Sequence, residues 1–128
     1  MAEPKKSILW LARILSALPM LLMTFSGVMK LSHRPEVVEG FVGKYGYPES
    51  SLLFIGIVEL FCVVLYAIPR TAILGGILMA AYLGGAVATH VRAGEPFVLP
   101  ILIGIIAWGG LFFRDTRLHA LIPLRKLS

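Results

Sequence analysis

Apolar residues occur in four long runs along the chain, which cover residues 8–31, 51–68, 71–91 and 97–113. At a rise of ~1.5 Å per residue, the shortest run makes a helix about 25 Å long, close to the ~30 Å hydrocarbon core of a bilayer. An open strand would leave backbone groups unpaired in lipid, so helices are expected. The pattern predicts an all-α fold, a transmembrane four-helix bundle in which residues 1–128 form a single integral membrane domain.

The connections between the runs predict two tight turns and one longer outer segment. Residues 68–70 read I-P-R and residues 92–96 read R-A-G-E-P, both typical of turns. In the longer segment, Pro35 suits the first turn of a helix, and Gly43 and Gly46 interrupt the pattern that follows it. The apolar positions with helical spacing in this segment are Val37, Val38, Phe41, Val42 and Tyr45. We expect a short amphipathic helix that caps the outer end of the bundle, with an irregular loop as the alternative.

The first run also has features of a secretory signal peptide, because Lys5 and Lys6 precede it. It is long for a signal peptide, however, contains Arg13, and lacks a good cleavage site of small residues at its end. We therefore interpret it as the first transmembrane helix, in which Pro19 should cause a kink.

The composition supports lipid as the surrounding solvent. Hydrophobic residues make up 58% of the chain and charged residues 15%, whereas soluble domains have roughly 45–50% and about 25%. The net charge of +5 suits contact with anionic headgroups, and no basic strip with aromatic residues suggests a nucleic acid partner. The single cysteine, Cys62, excludes an internal disulfide.

Basic residues are unevenly distributed between the two sides of the predicted membrane. Seven would lie on one side: Lys5, Lys6, Arg70, Arg114, Arg117, Arg125 and Lys126. Four would lie on the other, where four glutamates offset them: Lys30, Arg34, Lys44 and Arg92. The positive-inside rule then predicts a multi-pass protein of the cell (inner) membrane with both termini in the cytoplasm.

Small residues recur at every fourth position along the third run: Ala72, Gly76, Ala80, Gly84 and Ala88. Such a stripe lets helix backbones approach closely in lipid. We expect it to pack within the bundle, with an interface between copies of the chain as the alternative. Gly84→Leu should then destabilise the bundle more than a change at Leu74, which should face lipid.

One carboxylate, that of Glu59, lies in the middle of the second run, where a charge costs roughly 2.5–3.5 kcal/mol. Helical geometry places small and polar residues, including Tyr66, on its side of the helix, and a similar face of the first run carries Arg13 and Thr24. We expect Glu59 to face the interior and to pair with Arg13, so that these four residues form an intramembrane polar site. The alternatives are that Arg13 reaches the headgroups and that an uncharged Glu59 hydrogen-bonds a neighbouring helix.

Further polar residues are expected at the outer end of the bundle, namely Lys30, His90 and Arg92. No second ligand is suitably spaced around His90, so a metal site is not expected. The sequence contains none of the common nucleotide-binding or hydrolase motifs, and no catalytic residue is assigned.

Several short motifs resemble the DoxX-like family of small four-helix bacterial membrane proteins. They are Arg13, S-G-V-M-K at 26–30, G-I-V-E at 56–59, I-P-R at 68–70, L-G-G-A-V-A-T-H-V-R at 83–92 and R-D-T-R-L at 114–118. The resemblance implies an integral membrane bundle. The better-known relatives are associated with thiosulfate:quinone oxidoreduction, with membrane complexes that respond to oxidative stress, and with assembly of other membrane proteins.

Three functions are compatible with these observations. The favoured one is a non-catalytic subunit or accessory factor of a redox- or stress-linked membrane complex, with a cavity for a lipid- or quinone-like molecule. The second is a quinone-linked oxidoreductase subunit, although the sequence shows no redox cofactor site. The third is a proton-coupled carrier of a small solute, in which Glu59 would titrate.

Overall fold

The computed structural model describes residues 4–125 and residue 127. Five α-helices occur in this part of the chain: α1 (Lys6–Ser32), α2 (Pro35–Val38), α3 (Ser50–Ala67), α4 (Ala72–Ala93) and α5 (Val98–Arg114). A π-helix, Glu39–Lys44, continues α2, and short 3₁₀ helices, Pro69–Thr71 and Thr116–Ala120, precede α4 and follow α5. The described residues are thus all-helical, as the pattern predicts, with no strand among them.

The four long helices pack in a ring. Both α1 and α4 pack against α3 and α5, so each long helix has two long neighbours. Among the described residues, α1, α3 and α4 with its preceding turn are long and apolar enough to cross a membrane, whereas α5 is apolar but has only 17 residues. Large apolar side chains such as Leu21 and Phe25, 69% and 68% exposed, lie on the outer surface of the ring. A lipid solvent accounts for this exposure.

The helix ends follow from local sequence. Pro19 lies inside α1, and the helix continues through it to Ser32. Gly94, with φ of 73°, ends α4 in the left-handed region that glycine adopts most easily. After α5, the backbone amide and the guanidinium of Arg117 both donate to the Asp115 carboxylate, and Leu118 is buried. The Arg117 guanidinium holds the pKa of Asp115 below its usual value, because it stabilises the charged form.

The connection between α1 and α3 is helical, as its spacing indicates, and we call residues 35–47 the cap segment. Pro35 begins α2, and Phe41 in the π-helix is buried. The backbone amide of Tyr45 donates to the carbonyl of Gly40, and the ring of Tyr47 stacks on Phe41 at 4.7 Å between centroids. Val42 is partly exposed, so the apolar face is narrower than the spacing suggests.

Glycines allow the closest helix contacts at the end of the ring that contains the turn from α3 to α4. A Cβ at Gly75 would lie 2.5 Å from the Tyr66 Cα, and one at Gly76 would lie 2.5 Å from a Leu111 side-chain carbon. The indole nitrogen of Trp108 donates to the Gly76 carbonyl at 3.0 Å. These contacts hold α4 against α3 and α5.

The structure corrects the expected role of Gly84. Of the small-residue stripe, Ala72 and Gly76 are buried, whereas Ala80, Gly84 and Ala88 are exposed. A Cβ at Gly84 would meet no atom within 4 Å. At the level of Gly84, the neighbouring helices contact other faces of α4. Gly84→Leu should therefore not disturb the packing of this chain. Leu74 is 50% exposed, as expected for a residue that faces lipid.

Candidate functional site

The buried carboxylate of Glu59 is paired with Lys30. The Lys30 ammonium lies 3.0 Å from Glu59 Oε1 and 2.7 Å from Ser26 Oγ, and the Ser26 hydroxyl donates to the same carboxylate oxygen at 3.1 Å. The side chain of Glu59 is 3% exposed and that of Lys30 is 18% exposed. The Tyr82 side chain on α4 also lies near Glu59. The buried carboxylate is thereby paired with one cation and accepts a further hydrogen bond from one hydroxyl group.

Two glycines bring this pair together. A Cβ at Gly56 would lie 3.0 Å from the Lys30 Cβ and 3.2 Å from the Gly27 carbonyl oxygen, so α1 and α3 cross closely here. Side chains tilt towards the N-terminus of their own helix. In these antiparallel helices, the Lys30 and Glu59 side chains therefore point towards each other. This geometry explains why S-G-V-M-K and G-I-V-E combine a glycine with a polar group one turn away.

The predicted pairing of Glu59 with Arg13 is wrong. Arg13 is exposed, and its guanidinium carbon lies 5.1 Å from the centroid of the Trp10 ring. Because Gly27 is level with Gly56, residue 24 of α1 is level with Glu59, and Arg13 lies about 16 Å further along the helix. The depths of the two residues do not match because α1 is longer than α3.

Thr24 and Tyr66, the other two residues of the predicted polar site, do not form a polar cluster with Glu59. Thr24 is exposed on α1. Tyr66 is fully buried, and its hydroxyl group donates to the Ala107 carbonyl at 2.6 Å and lies 3.2 Å from Ser16 Oγ. Tyr66 therefore joins α1, α3 and α5 by packing and hydrogen bonds. The four residues predicted as one site do not form one cluster.

Polar residues of the cap segment bind to residues at the C-terminal end of α4 and in the turn that follows it. The Tyr45 hydroxyl donates to Glu95 Oε2 at 2.7 Å, and Lys44 forms a close ion pair with Glu95. His90 Nδ1 donates to the Ala86 carbonyl at 2.7 Å, and Nε2 lies 3.9 Å from Glu95. These contacts hold the polar end of the cap segment above α4.

A second group of contacts fixes Tyr47. Its hydroxyl group lies 2.6 Å from Thr89 Oγ1, and the guanidinium of Arg92 lies 5.4 Å from the centre of its ring. The same guanidinium donates to the backbone carbonyl of Tyr45. Lys30, His90 and Arg92, which the sequence places together at the outer end, thus lie around the cap segment. Lys30 lies deeper than the other two, where it reaches Glu59.

A cavity of about 310 Å³ lies beneath the cap segment, between α3 and α4. Its walls combine aromatic, small and hydrogen-bonding side chains: Lys30, Phe41, Tyr45, Tyr47, Phe54, Ile55, Val58, Ala81, Tyr82, Gly85, Ala86, Thr89 and His90. We call this space the outer cavity, because it lies at the end of the bundle that carries the cap segment. A second space of about 360 Å³ lies between α1 and the cap segment, and shares Lys30, Phe41 and Tyr45 with the first. Lys30 therefore lies between two spaces near the same end of the bundle.

Few features of the sequence indicate the outer cavity. Ser26 and Lys30 lie one helical turn apart, and this spacing was a signal that they share a face. The part of the cavity wall that the cap segment forms depends on how this segment folds back over α3 and α4. No local sequence pattern predicts that arrangement. Among the described residues, no group of three or more His, Cys, Asp or Glu side chains is arranged to hold a metal ion.

The apolar helices and their exposed apolar surface define a small helical membrane protein. A sequence model described as the DoxX-like family matches residues 14–110, and the chain belongs to that family. The match covers the Lys30–Glu59 pair and all the residues that line the outer cavity. The chain matches no curated protein and no solved structure.

Proposed function

We propose that the protein is a non-catalytic membrane subunit or accessory factor that binds a lipid- or quinone-like amphiphile in the outer cavity. In this proposal it serves a redox- or stress-linked membrane complex. The observation that supports it best is the combination of aromatic walls with a few hydrogen-bonding groups in one cavity. Small-molecule sites typically combine these features.

The size and position of the cavity suit the head of such a molecule. A volume of about 310 Å³ is at the lower end of the roughly 300–1,000 Å³ typical of ligand pockets, enough for a ring or a polar head but not for a long tail. Phe54 is 68% exposed, and Ala81 and Gly85 are also exposed, although all three line the cavity. The cavity therefore opens on the surface of the bundle between α3 and α4, where a tail would lie in lipid.

Gly85→Leu should remove the bound molecule without unfolding the protein. Gly85 lines the outer cavity, and a Cβ there would meet no atom within 4 Å, so a leucine occupies the cavity rather than the helix contacts. We expect the variant, purified in mild detergent, to lose most of the amphiphile that accompanies the parent protein. Native mass spectrometry, with identification of the released molecules, measures this.

The matched control is Gly84→Leu, at the next position of the same helix. Gly84 is equally open but does not line the cavity. This variant should retain the bound molecule at the parent level. Equal loss from both variants, or equal retention by both, would contradict the assignment of the outer cavity as the binding site.

We also propose that α1, α3, α4 and α5 all span the cell membrane, with both termini in the cytoplasm. The excess of basic residues at the termini and in the α3–α4 turn supports this orientation. Cysteines introduced at Ser50 and Leu124, which are both exposed, should react with a membrane-impermeant maleimide from opposite sides of intact spheroplasts. Cys62, which is buried, is first replaced by alanine. Reaction of both positions from the same side would reject the four-span topology.

A further inference from the structure

Only one residue of the buried ion pair lines the outer cavity. Lys30 lines the outer cavity and also the second space beside it, whereas Glu59 lines neither. Of the two residues, the basic one therefore lines the cavity and the acidic one does not. A ligand that enters the outer cavity meets the side chain of Lys30 and not that of Glu59.

Hydroxyl groups of Tyr82 and Thr89 lie in the cavity walls, and no carboxylate lines the outer cavity. The Thr89 hydroxyl already donates to the Gly85 carbonyl at 2.9 Å, so Lys30 is the principal group for a charged head. Glu95, the nearest acidic group of the cap contacts, is occupied by Lys44 and Tyr45. A wall that contains a lysine and no carboxylate is complementary to a head that carries negative charge.

We propose that the ligand of the outer cavity is an amphiphile with one anionic head, such as a carboxylate, and that its binding is coupled to uptake of one proton by Glu59. This inference rests on the proposed function of the cavity. The anionic head takes the place of Glu59 beside the Lys30 ammonium. The carboxylate of Glu59 then has no cation, and in its buried position it becomes neutral by taking a proton from water.

Charge is balanced in this exchange. Before binding, the Lys30 cation and the Glu59 anion neutralise each other; afterwards, the Lys30 cation neutralises the ligand and Glu59 is a neutral acid. No bond other than the O–H bond of Glu59 is formed. Ser26 on α1, Cys62 on α3 and Tyr82 on α4 lie around Glu59. The walls that Lys30 shares also contain the titratable groups of Glu36, Tyr45 and His90. Of these, Glu36 is exposed and lines only the second space.

Titration calorimetry with decanoate on the purified full-length protein tests the inference. Measurement at one pH in buffers with different ionisation enthalpies gives the number of protons taken up, after subtraction of titrations into protein-free micelles. We expect about one proton per decanoate bound by the parent protein. We also expect 1-decanol, the neutral analogue, to bind at least about tenfold more weakly, and acetate, which has no tail, weaker still.

Variants of Lys30 and Glu59 distinguish the effect on proton uptake from the effect on the affinity for decanoate. Glu59→Gln should bind decanoate about tenfold or more tightly, with no proton uptake, because no carboxylate has to be displaced. Since Lys30→Gln leaves Glu59 unpaired, the double variant Lys30→Gln/Glu59→Gln serves as the folded test and should no longer prefer decanoate to decanol. Arg13→Gln, at an exposed basic residue of α1 outside the cavity walls, is the control and should change the proton uptake little.

The possible failures are distinguishable. If decanol binds as tightly as decanoate and Gly85→Leu abolishes both, the cavity binds amphiphiles but the anionic head is wrong. If decanoate binds at this site without proton uptake, the exchange with Glu59 is wrong. If neither molecule binds the parent protein but Gly85→Leu still loses the amphiphile that accompanies it, this inference is rejected and the proposed function is retained.

Discussion

Gly75→Leu should destabilise the bundle more than any other single change at a small residue of α4. A Cβ at this position would lie 2.5 Å from the Cα of Tyr66 and 2.7 Å from the carbonyl carbon of Leu65, so it collides with backbone and not with a flexible side chain. The two helices must separate. We expect the free energy of unfolding to fall by roughly 3 kcal/mol or more, since overpacking alone commonly costs about 1–3 kcal/mol. Reversible unfolding in mixed micelles measures the change.

Gly84→Leu is the matched control for this prediction. It introduces the same side chain on the same helix, so the gain in helix propensity, about 1 kcal/mol, is equal in the two variants. Its Cβ would meet no atom within 4 Å. We expect the free energy of unfolding of this variant to be equal to or higher than that of the parent protein. A Gly75→Leu protein as stable as Gly84→Leu would contradict the close contact between α3 and α4.

The second large effect is expected at the ion pair that joins α1 and α3. Lys30→Gln leaves the 3%-exposed carboxylate of Glu59 without its cation, and loss of one partner of a buried pair costs about 3–5 kcal/mol. Glu59→Gln should cost less, because the long side chain of Lys30 begins near the end of α1 and its ammonium can turn outwards to water. The double change should cost less than the sum of the single changes.

Arg13→Gln is the control in the same set of variants. Arg13 is also a basic residue of α1, but it is exposed and lies over Trp10. Its replacement should change the free energy of unfolding little and should be additive with Glu59→Gln. Additive effects of Lys30→Gln and Glu59→Gln, or a strong coupling between Arg13 and Glu59, would contradict the pairing seen in the structure.

The fold class was accessible from the sequence because it depends on local patterns. Long apolar runs with few charges predict buried or membrane helices whatever their neighbours are. The helices α1, α3, α4 and α5 lie within a few residues of the four predicted runs. The cap segment was also predictable, since Pro35 and the helical spacing of its apolar residues act within one short stretch.

The identity of the residue that pairs with Glu59 could not be predicted from local sequence patterns. The sequence indicates that a carboxylate in an apolar run needs a partner, but the expected partner was Arg13, and Lys30 was assigned only to the polar residues at the outer end. The choice depends on which residues of α1 are level with Glu59. That level is set by the crossing of Gly27 and Gly56, a contact between residues far apart in the chain.

The small residues of α4 show the same division. By itself, the sequence determined that this protein is a helical membrane protein, that one helix carries a stripe of small residues, and that one carboxylate is buried. Only the tertiary structure decided that Gly75 and Gly76 make close contacts while Gly84 is open, that Lys30 pairs with Glu59, and that the cap segment covers a cavity. Periodicity records which residues share a face of a helix, but the rotation and depth of each helix depend on the packing of the whole ring.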